Sequence, residues 1–351
     1  MAPEALTLGI ETSCDETAVA VVAGTRDVRV SLVSSQISVH AEFGGVVPEI
    51  AAREHLKVLD GMVREALREA NVAIGAIDRI AVTQGPGLIG ALLVGVSYAK
   101  GLALATCKPL VPVNHVHAHV HGALLGLVAS DDELFPALAA VVSGGHTHLY
   151  FMPSPTDFEL IAYSVDDACG ESFDKVAKLL GLGYPGGPAI EAIARNGDPD
   201  QVAMPRMISE KARMEFSYSG LKTHMVNLVA KGGSISGQRL ADVCAAFQRE
   251  ALGQLVRKIV VGLELRPAAR SVLIAGGVAA NGELRRMIAE QVNRPAHLPG
   301  LRYCSDNAAM IAALGARAGA IAPNDPAAMP WDAFSRYQRA GSSRGTHGAT
   351  P

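Results

Sequence analysis

The sequence predicts a mixed α/β protein built from two lobes, and three observations predict it. With 351 residues the chain is long enough for two hydrophobic cores. Leu6 to Thr12 and Thr17 to Ala23 have the pattern of a hairpin with acidic residues at its tip, and Ala139 to Met152 repeats that pattern. Alternating strand and helix signals follow each hairpin. Hairpins are common, so the repeat alone is weak evidence, but together with the alternation it favours an internal duplication.

The first half continues with a third β-rich run, Val28 to Ser35, and then a glycine-containing loop. Pro48 is well placed in the first turn of a long amphipathic helix that runs to about Ala70. Ile80 to Thr83 is a short strand, and the turn after it, QGPGLIG, opens a helix of small residues, Ala91 to Ala105. The alternation of strand and helix therefore begins directly after the first hairpin.

The second half contains helix signals, one strand and a loop rich in Pro, Met and charge at 197–219. The longest helix has an apolar residue at every third or fourth position, which is typical of a core-facing stripe. The predicted elements are helices Glu171 to Leu180, Pro188 to Asn196, Gly220 to Lys231 and Gln238 to Glu264, strand Ser271 to Ala275, a helix from about Asn281, and a helix Cys304 to Gly319.

Composition excludes several classes of protein. Hydrophobic residues make up 49% of the chain and the net charge is −3, so no global basic field indicates nucleic-acid binding. The N-terminus shows no signal sequence and no uninterrupted apolar run has the length of a membrane span, so we expect a cytoplasmic protein without a membrane partner. Five cysteines without a CxxC pair indicate reduced thiols, not a disulfide framework or a structural zinc site.

Four histidines lie within the segment PVNHVHAHVH, after a short apolar run that predicts a strand. His115 and His119 are four residues apart, so both imidazoles can reach one metal ion from the same helix face. His117 and His121 have the same spacing and point about 200° away, so we expect only one pair to face the interior. A polar helix face is the plain alternative, but imidazole is a frequent ligand of borderline metals. Position 116 is valine, so the HExxH motif of zinc proteases is absent.

Three glycine-bearing turns, at 85–87, 143–145 and 276–277, each follow a predicted strand. Glycine lets the backbone approach a ligand and directs its N–H groups toward anionic oxygens. None of the turns has the spacing of a Walker motif, and each alone is more often a plain turn. Repeated in two lobes, they indicate a nucleotide held in a cleft between the lobes.

Asp306 is the best candidate for a third metal ligand. Two imidazoles and one carboxylate leave coordination positions open, as suits Fe²⁺ or Zn²⁺ bound to a substrate oxygen. The alternative is a carboxylate that only caps a helix or offsets its dipole. These residue types and spacings leave both interpretations open.

Nine segments together resemble one protein family. They are GIETSCDETAVAV, HAEFGGVVPEIAAREH, GPGLIGALLVG, VNHVHAH, VSGGHT, DDACGESFDKVAKLLGLGYPGGP, FSYSGLKT, AGGVAAN and CSDNAAMIA. Their order and spacing resemble those of the tRNA adenosine threonylcarbamoyltransferase family, the TsaD type, over Leu8 to about Ala320. The resemblance implies an actin-like, Hsp70-like two-lobe α/β fold. It assigns 1–133 and 305–340 to a discontinuous N-terminal lobe, 134–304 to a C-terminal lobe and 341–351 to a disordered tail.

The resemblance also implies an activity and its site. The reaction is transfer of a threonylcarbamoyl group from L-threonylcarbamoyladenylate to N6 of the tRNA adenosine on the 3′ side of the anticodon, in tRNAs that read codons beginning with adenine, with release of AMP. The family's metal ligands correspond to His115, His119 and Asp306, with Fe²⁺ expected before Zn²⁺. The family's contacts to threonylcarbamoyladenylate, ATP or ADP correspond to Val141, Val142, Ser143, Gly144, Gly145, Asp174, Gly187, Glu191 and Asn281. Many members have Asp at position 191 and Glu at position 117.

Two features are less determined. Asp15 and Glu16 are candidate proton acceptors, although a solvated acidic turn explains them equally well. The implied partners are tRNA, a paralogous TsaB-type protein, a small TsaE-type ATPase and a threonylcarbamoyl-AMP synthase that makes the donor. The helix around Ile50 to Val63 is the expected docking surface, or is simply packed on the core. Candidate phosphate contacts, otherwise only solubilising, are Lys175, Lys178, Lys222, Arg285 and Arg286.

Other classes of function compete with this interpretation. The histidine helix would suit a metalloprotease, against which the absent HExxH glutamate counts. The glycine turns would permit an actin-like ATPase or sugar kinase. A scaffold that only holds partners is a third alternative.

Overall fold

The computed structural model describes residues 4–43, 45–208, 210–211, 213–232, 235–320, 322 and 331–335. The strands are β1 Leu6–Glu11, β2 Glu16–Ala23, β3 Asp27–Ser35, β4 Arg79–Gly85, β5 Leu110–Asn114, β6 Ala137–Val142, β7 Thr147–Met152, β8 Glu159–Ser164, β9 Glu215–Phe216, β10 Ser271–Ala275 and β11 Ala296–His297. The helices are α1 Ile37–Ala41, α2 Pro48–Glu69, α3 Ile89–Thr106, α4 His115–Gly122, α5 Asp131–Leu134, α6 Cys169–Leu179, α7 Gly186–Ala194, α8 Ser219–Gly232, α9 Gly237–Leu265, α10 Gly282–Gln291 and α11 Ala308–Gly315.

The first sheet has five strands in the order β3-β2-β1-β4-β5. Its centre is β1, which pairs antiparallel with β2 and parallel with β4. Helices α2 and α3 pack against β2 and β4, and α11 packs against β1 and β2. At Gly9 this approach is so close that a Cβ atom would lie 2.3 Å from the carbonyl oxygen of Ala308. Strands β1 and β2 are buried along almost their whole length because helices cover both faces of the sheet there, whereas the edge strand β3 is partly exposed.

The second sheet has six strands in the order β11-β10-β6-β7-β8-β9, and its first hairpin, β6-β7, repeats the β1-β2 hairpin of the first sheet. The long helix α9 packs in the core beside it, with the predicted stripe buried through Val243, Phe247, Leu255 and Ile259. The two mixed sheets and their covering helices confirm the α/β fold class. The lobe boundaries at 133/134 and 304/305 stay predictions.

Helix α4 lies between α11 and strands β6 and β10 of the second sheet. The expectation that only one histidine pair would face the interior is therefore wrong, because the helix has packed neighbours on opposite sides. His115, His119 and His121 are all buried. His121 Nε2 lies 3.0 Å from the carbonyl oxygen of Pro155, and the His117 ring stacks on Phe158 at 4.0 Å between centroids. The second pair thus packs in the core, although His121 Nδ1 has no hydrogen-bond partner among the described residues.

The predicted helices and strands differ from those of the structure mainly in segments where the apolar residues show no helical or strand periodicity. The last helix begins at Ala308, not at Cys304, because Asn307 caps it by accepting the N–H of Met310 at 3.0 Å. Strands β8, β9 and β11 had no prediction. All five cysteines are free, as expected for reduced thiols. The predicted disordered tail, 341–351, lies outside the described residues, as do most residues of 321–340.

One helix in the described part of the chain, α3, has the length and composition of a membrane span. The sequence prediction that no run qualifies is therefore too strict. Six of its residues are nevertheless buried, Ala91, Leu92, Gly95, Val96, Ala99 and Ala103. That side packs on β4 and α2, as a core helix does.

Candidate metal centre and nucleotide cleft

The histidine pair is positioned by the junction of β5 and α4. Asn114 ends the strand and caps the helix, since its Oδ1 accepts the backbone N–H groups of Val116 and His117 at 3.0 and 3.2 Å. The cap fixes the first helical turn at this point. His115 and His119 consequently lie one turn apart, with ring centroids 4.7 Å from each other.

Asp306 approaches the two imidazoles from the loop before α11. Its Oδ1 lies 3.6 Å from His115 Nε2 and 3.3 Å from His119 Nε2. One ligand atom from each of the three residues lies within 4.8 Å of the other two. Asn307, not Asp306, caps α11. The structure therefore favours the convergent carboxylate over the helix-capping alternative for Asp306.

The three side chains have the properties of a cation site. His119 is 1% exposed, and its Nε2 faces the Asp306 carboxylate at 3.3 Å. Its Nδ1 has no hydrogen-bond partner among the described residues, which is costly for a buried polar atom. Burial opposes ionisation of Asp306, but His115 and His119 hold its pKa well below the usual range. Burial would also lower the pKa of His115, but the charges of Asp306 and Glu11 raise it to about 9. Two nitrogens and a carboxylate oxygen suit Fe²⁺ or Zn²⁺.

Glu11 is a buried carboxylate at this centre that the sequence analysis missed. Its Oε2 lies 3.0 Å from His115 Nδ1, on the opposite side of the ring from Asp306. Sequence reasoning assigned it to a strand and stopped there. A glutamate at the end of an otherwise apolar run of a central strand is the signal that could have identified it.

A cavity of about 700 Å³ opens in front of the metal candidate. All three predicted glycine turns reach it, through Gly87, Ser143 to Gly145 and Gly277. At Gly276 the backbone has φ +93°, and a Cβ atom would lie 2.4 Å from the carbonyl oxygen of Val142. The turns therefore bring the backbones of both sheets to one cleft of nucleotide size.

Most of the predicted substrate residues line this cavity, and two do not. Asp15, Glu16, Ser143, Gly144, Gly145, Asp174, Gly187, Glu191 and Asn281 line it together with His115 and Asp306. Val141 and Val142 are fully buried in β6 and only lead into the turn. Neither valine is part of the cavity wall, and their predicted contact with a ligand stays a prediction.

Three polar side chains of the cavity wall already have partners in the protein. Asp174 Oδ1 accepts the N–H of Gly186 at 2.7 Å, and burial raises the pKa of this carboxyl. Glu191 Oε1 accepts the N–H of Gly282 at 3.0 Å. Asn281 caps α10 through its Oδ1, and its Nδ2 donates to Gln248 Oε1 at 2.8 Å. Asn281 thus keeps one N–H of its Nδ2 for a ligand, and each carboxylate keeps an oxygen.

The hairpin tip carries the acidic pair Asp15 and Glu16 into the same cavity. Burial, followed by the charges of Asp306 and Asp15, raises the pKa of Glu16 to about 9. Asp15 is 8% exposed. Asp15 is thus a buried residue of the cleft and not a solvated turn residue, whereas Glu16 is only partly buried and both interpretations of it stay open.

The basic residues considered for RNA contacts are mostly paired within the protein. Lys175 and Lys222 both bind Asp167, at 2.7 and 2.9 Å. Arg286 pairs with Glu283 and Glu290, and Arg285 donates to the carbonyl oxygens of Ala279 and Pro299. Such residues hold helices in place, so they make weak candidates for phosphate contacts.

Comparison with known proteins identifies a family. The family model described as "tRNA N6-adenosine threonylcarbamoyltransferase", TsaD, matches residues 27–313. A protein of that name from Symbiobacterium thermophilum is 48% identical over 319 residues, covering 89% of this chain and 91% of its own. One from Geobacter sulfurreducens is 48% identical over 313 residues, covering 88% and 91%.

A solved structure supports the fold. Component A of the (R)-2-hydroxyglutaryl-CoA dehydratase from Acidaminococcus fermentans is 14% identical, with a TM-score of 0.52 over 89% of this chain and 98% of that one. At this identity the likeness concerns the fold alone, which is of the actin-like, Hsp70-like class.

Proposed function

The chain belongs to the tRNA N6-adenosine threonylcarbamoyltransferase family, and we propose that it transfers a threonylcarbamoyl group to N6 of an adenosine in tRNA. The proposed donor is L-threonylcarbamoyladenylate: the bond from its carbamoyl carbon to N6 forms, the bond to the phosphate oxygen breaks, and AMP is released. The proposed acceptor is the adenosine on the 3′ side of the anticodon, in tRNAs that read codons beginning with adenine. The observation that supports this most is the convergence of His115, His119 and Asp306 beside a glycine-lined cavity of about 700 Å³.

We propose one divalent cation at these three residues, Fe²⁺ before Zn²⁺. Such a cation supplies Lewis-acid stabilisation of the negative charge that develops on donor oxygens. His115 and His119 offer nitrogen lone pairs, and Asp306 offers a charged oxygen in a buried setting. The buried Nε2 of His119, which faces the Asp306 carboxylate at 3.3 Å, supports this assignment.

The glycine turn at 143–145 is the proposed anion contact. The N–H of Ser143 is used, since it donates to the carbonyl oxygen of His146 at 2.8 Å. The amides of Gly144 and Gly145 therefore remain for the donor phosphate or for the oxyanion at the carbamoyl carbon. A threonylcarbamoyladenylate, ATP or ADP molecule would occupy the cavity beyond this turn.

Asp174, Gly187 and Glu191 are the proposed contacts of the adenosine. The carboxylates of Asp174 and Glu191 each accept a hydrogen bond from one backbone N–H. The other oxygen of each can accept a hydrogen bond from a ribose hydroxyl. This arrangement fixes the nucleoside relative to the reacting carbon. Val141 and Val142 are assigned to shaping the wall, since both are buried, and Asn281 is proposed to donate its second Nδ2 hydrogen to the nucleoside.

The attacking amine must lose a proton, and we propose that a carboxylate of Asp15 or Glu16 accepts it. Both line the cavity near Asp306. The pKa of Glu16 is raised to about 9 by burial and by neighbouring carboxylates, so positive charge nearby is needed before it can act as a base at neutral pH. Asp15 is the alternative acceptor.

A paralogous TsaB-type partner is proposed to dock on the outer face of α2 and α3. Leu56 on α2 is 73% exposed, and Ile89, Leu93 and Leu104 on α3 are also exposed. The opposite side of α2, including Leu59 and Val63, is buried in the core. The core-packed interpretation thus applies to the inner face of α2, and the docking surface is proposed for the outer face. A TsaE-type ATPase and a donor-forming synthase complete the proposed set, in the cytoplasm.

One incubation tests the proposal against its rivals. The protein is mixed with threonine, bicarbonate, ATP, an adenylate-forming synthase, the TsaB-type and TsaE-type partners and tRNA, and the nucleosides are analysed by mass spectrometry. We expect threonylcarbamoyladenosine, and we expect none with the His115→Ala variant. Peptide cleavage without modified tRNA would favour the metalloprotease, and ATP turnover without either product the actin-like ATPase.

A further inference from the structure

Glu11 is a fully buried carboxylate at the centre of the first sheet. A buried charge is expensive unless it is paired and hydrogen-bonded. Here three groups face it. The N–H of Ser13 donates to Oε1 at 2.5 Å, the hydroxyl of Thr83 donates to Oε2 at 2.6 Å, and His115 Nδ1 lies 3.0 Å from Oε2. Strands β1 and β4 thus hold the carboxylate rigidly against one imidazole.

This contact decides which nitrogen of His115 keeps its proton when the ring binds a cation. An ionised carboxylate only accepts hydrogen bonds, so the Nδ1 that faces it must be the protonated one. Nε2 is the nitrogen that faces Asp306, at 3.6 Å. A histidine binds a cation through the nitrogen that has no proton, and the hydrogen bond of the other nitrogen selects that tautomer.

The two histidines differ in this respect. His119 Nδ1 has no hydrogen-bond partner among the described residues, so no outer group holds a proton on Nδ1 and leaves Nε2 free for a cation. His115 has Glu11 and, at 3.2 Å from the same Nδ1, the hydroxyl of Ser13. Of the two imidazoles, only that of His115 is therefore held in one orientation by hydrogen bonds at its Nδ1.

We propose that Glu11 is a positioning residue that fixes the ring orientation and the Nδ1–H tautomer of His115, so that Nε2 is presented to a divalent cation. Thr83 supports Glu11 from the neighbouring strand. The inference rests on the proposed cation site of His115, His119 and Asp306. Outer partners of this kind typically change metal affinity by about 10- to 100-fold.

The test is cation affinity in three variants. In Glu11→Gln, the side-chain oxygen still accepts the hydrogen bond from the N–H of Ser13, and the amide NH₂ then faces Nδ1 of His115. A donor at this position favours the proton on Nε2, which is the wrong tautomer for binding. Thr83→Val removes one support of the carboxylate. Thr7→Val is the matched control, because Thr7 is equally buried on β1 and its hydroxyl has no hydrogen-bond partner.

Zn²⁺ and, without oxygen, Fe²⁺ are titrated into the metal-free protein in competition with a chelator. We expect one equivalent to bind to the unaltered protein, about 10- to 100-fold weaker binding in Glu11→Gln, a smaller loss in Thr83→Val and no change in Thr7→Val. In the Zn²⁺-loaded protein, the Nδ1 proton of His115 should be detectable by NMR and should shift in Glu11→Gln. If Glu11→Gln fails to fold, Thr83→Val and the NMR signal still decide.

The outcomes separate the two proposals. Equal affinity in the unaltered protein, Glu11→Gln and Thr83→Val would overturn the role of Glu11 and leave the cation site standing. Absence of binding in the unaltered protein would overturn both, because no ligand would remain to be positioned. Weaker binding in Thr7→Val as well would also count against a specific role.

Discussion

Asp306 Oδ1 lies 3.3 Å from His119 Nε2, although α4 and the loop before α11 are far apart in the sequence. The contact exists because α11 packs against both the first sheet and α4. It brings a carboxylate to an imidazole that otherwise has no partner. The proposed chemistry depends on this juxtaposition.

Removing one ligand should remove the cation without unfolding the protein. His119→Ala is expected to lose stoichiometric binding of Zn²⁺ or Fe²⁺ and all tRNA modification, because two ligands hold a cation too weakly. Metal analysis of protein purified without a histidine tag measures the loss. His224→Ala is the control, since this histidine lies on α8, away from the centre. Retention of a full equivalent by His119→Ala would contradict the assigned site.

Leu56 should mark the partner surface. Leu56→Asp places a charge on a side chain that is 73% exposed, so the fold should be unaffected while an apolar interface loses a contact. We expect co-elution with the TsaB-type partner in size-exclusion chromatography to weaken by at least about tenfold. Val128→Asp is the control, because Val128 is fully exposed elsewhere. An equal loss in both variants would argue against a specific face.

Replacing Gly276 by alanine should destabilise the protein, whereas the same replacement at Gly277 should not. Gly276→Ala forces a Cβ to within 2.4 Å of the backbone oxygen of Val142, at φ +93°. We expect a loss of at least about 2 kcal/mol in the free energy of unfolding. Gly277→Ala is a closely matched control, since a Cβ there meets nothing within 4 Å. Urea denaturation of the two variants compares them directly, and equal stability would show that the turn can relax.

Asp167 should make stability depend on pH. It binds Lys175 on α6 and Lys222 on α8, and its side chain is 15% exposed. Burial opposes ionisation, but the hydrogen bonds and charges of the two lysines hold the pKa of Asp167 below the ordinary value of 3.8. Because the folded-state pKa is the lower one, this stabilisation is present above the unfolded pKa and is lost as pH falls through the folded pKa.

Asp167→Asn is therefore expected to cost about 1 to 2 kcal/mol at pH 7 and progressively less below pH 3.8. Thermal unfolding across this range measures the difference. Asp27→Asn serves as the control, because its pair with Arg29 is about half exposed on both sides and should contribute little. A difference for Asp167→Asn that does not change with pH would mean that the ion pairs are not its cause.

Prediction from sequence succeeded where the signal was local. The strand LVPVN, the capped start of α4, the long helices α2 and α9 and the strand Ser271–Ala275 follow from periodicity, turn residues and proline placement. The pair His115 and His119 follows from the spacing of one helical turn. The roles of single cleft residues came from a family resemblance.

The sequence by itself determined the two-lobe α/β architecture, the glycine turns and the histidine pair, because each is encoded within a few consecutive residues. Only the tertiary structure decided that Asp306 is a convergent carboxylate and not a helix cap, that His121 is buried in the core, that Val141 and Val142 stay behind the cleft wall, and that Glu11 supports His115. These are contacts between distant segments. They depend on how two sheets and α4 pack together, which no local pattern specifies.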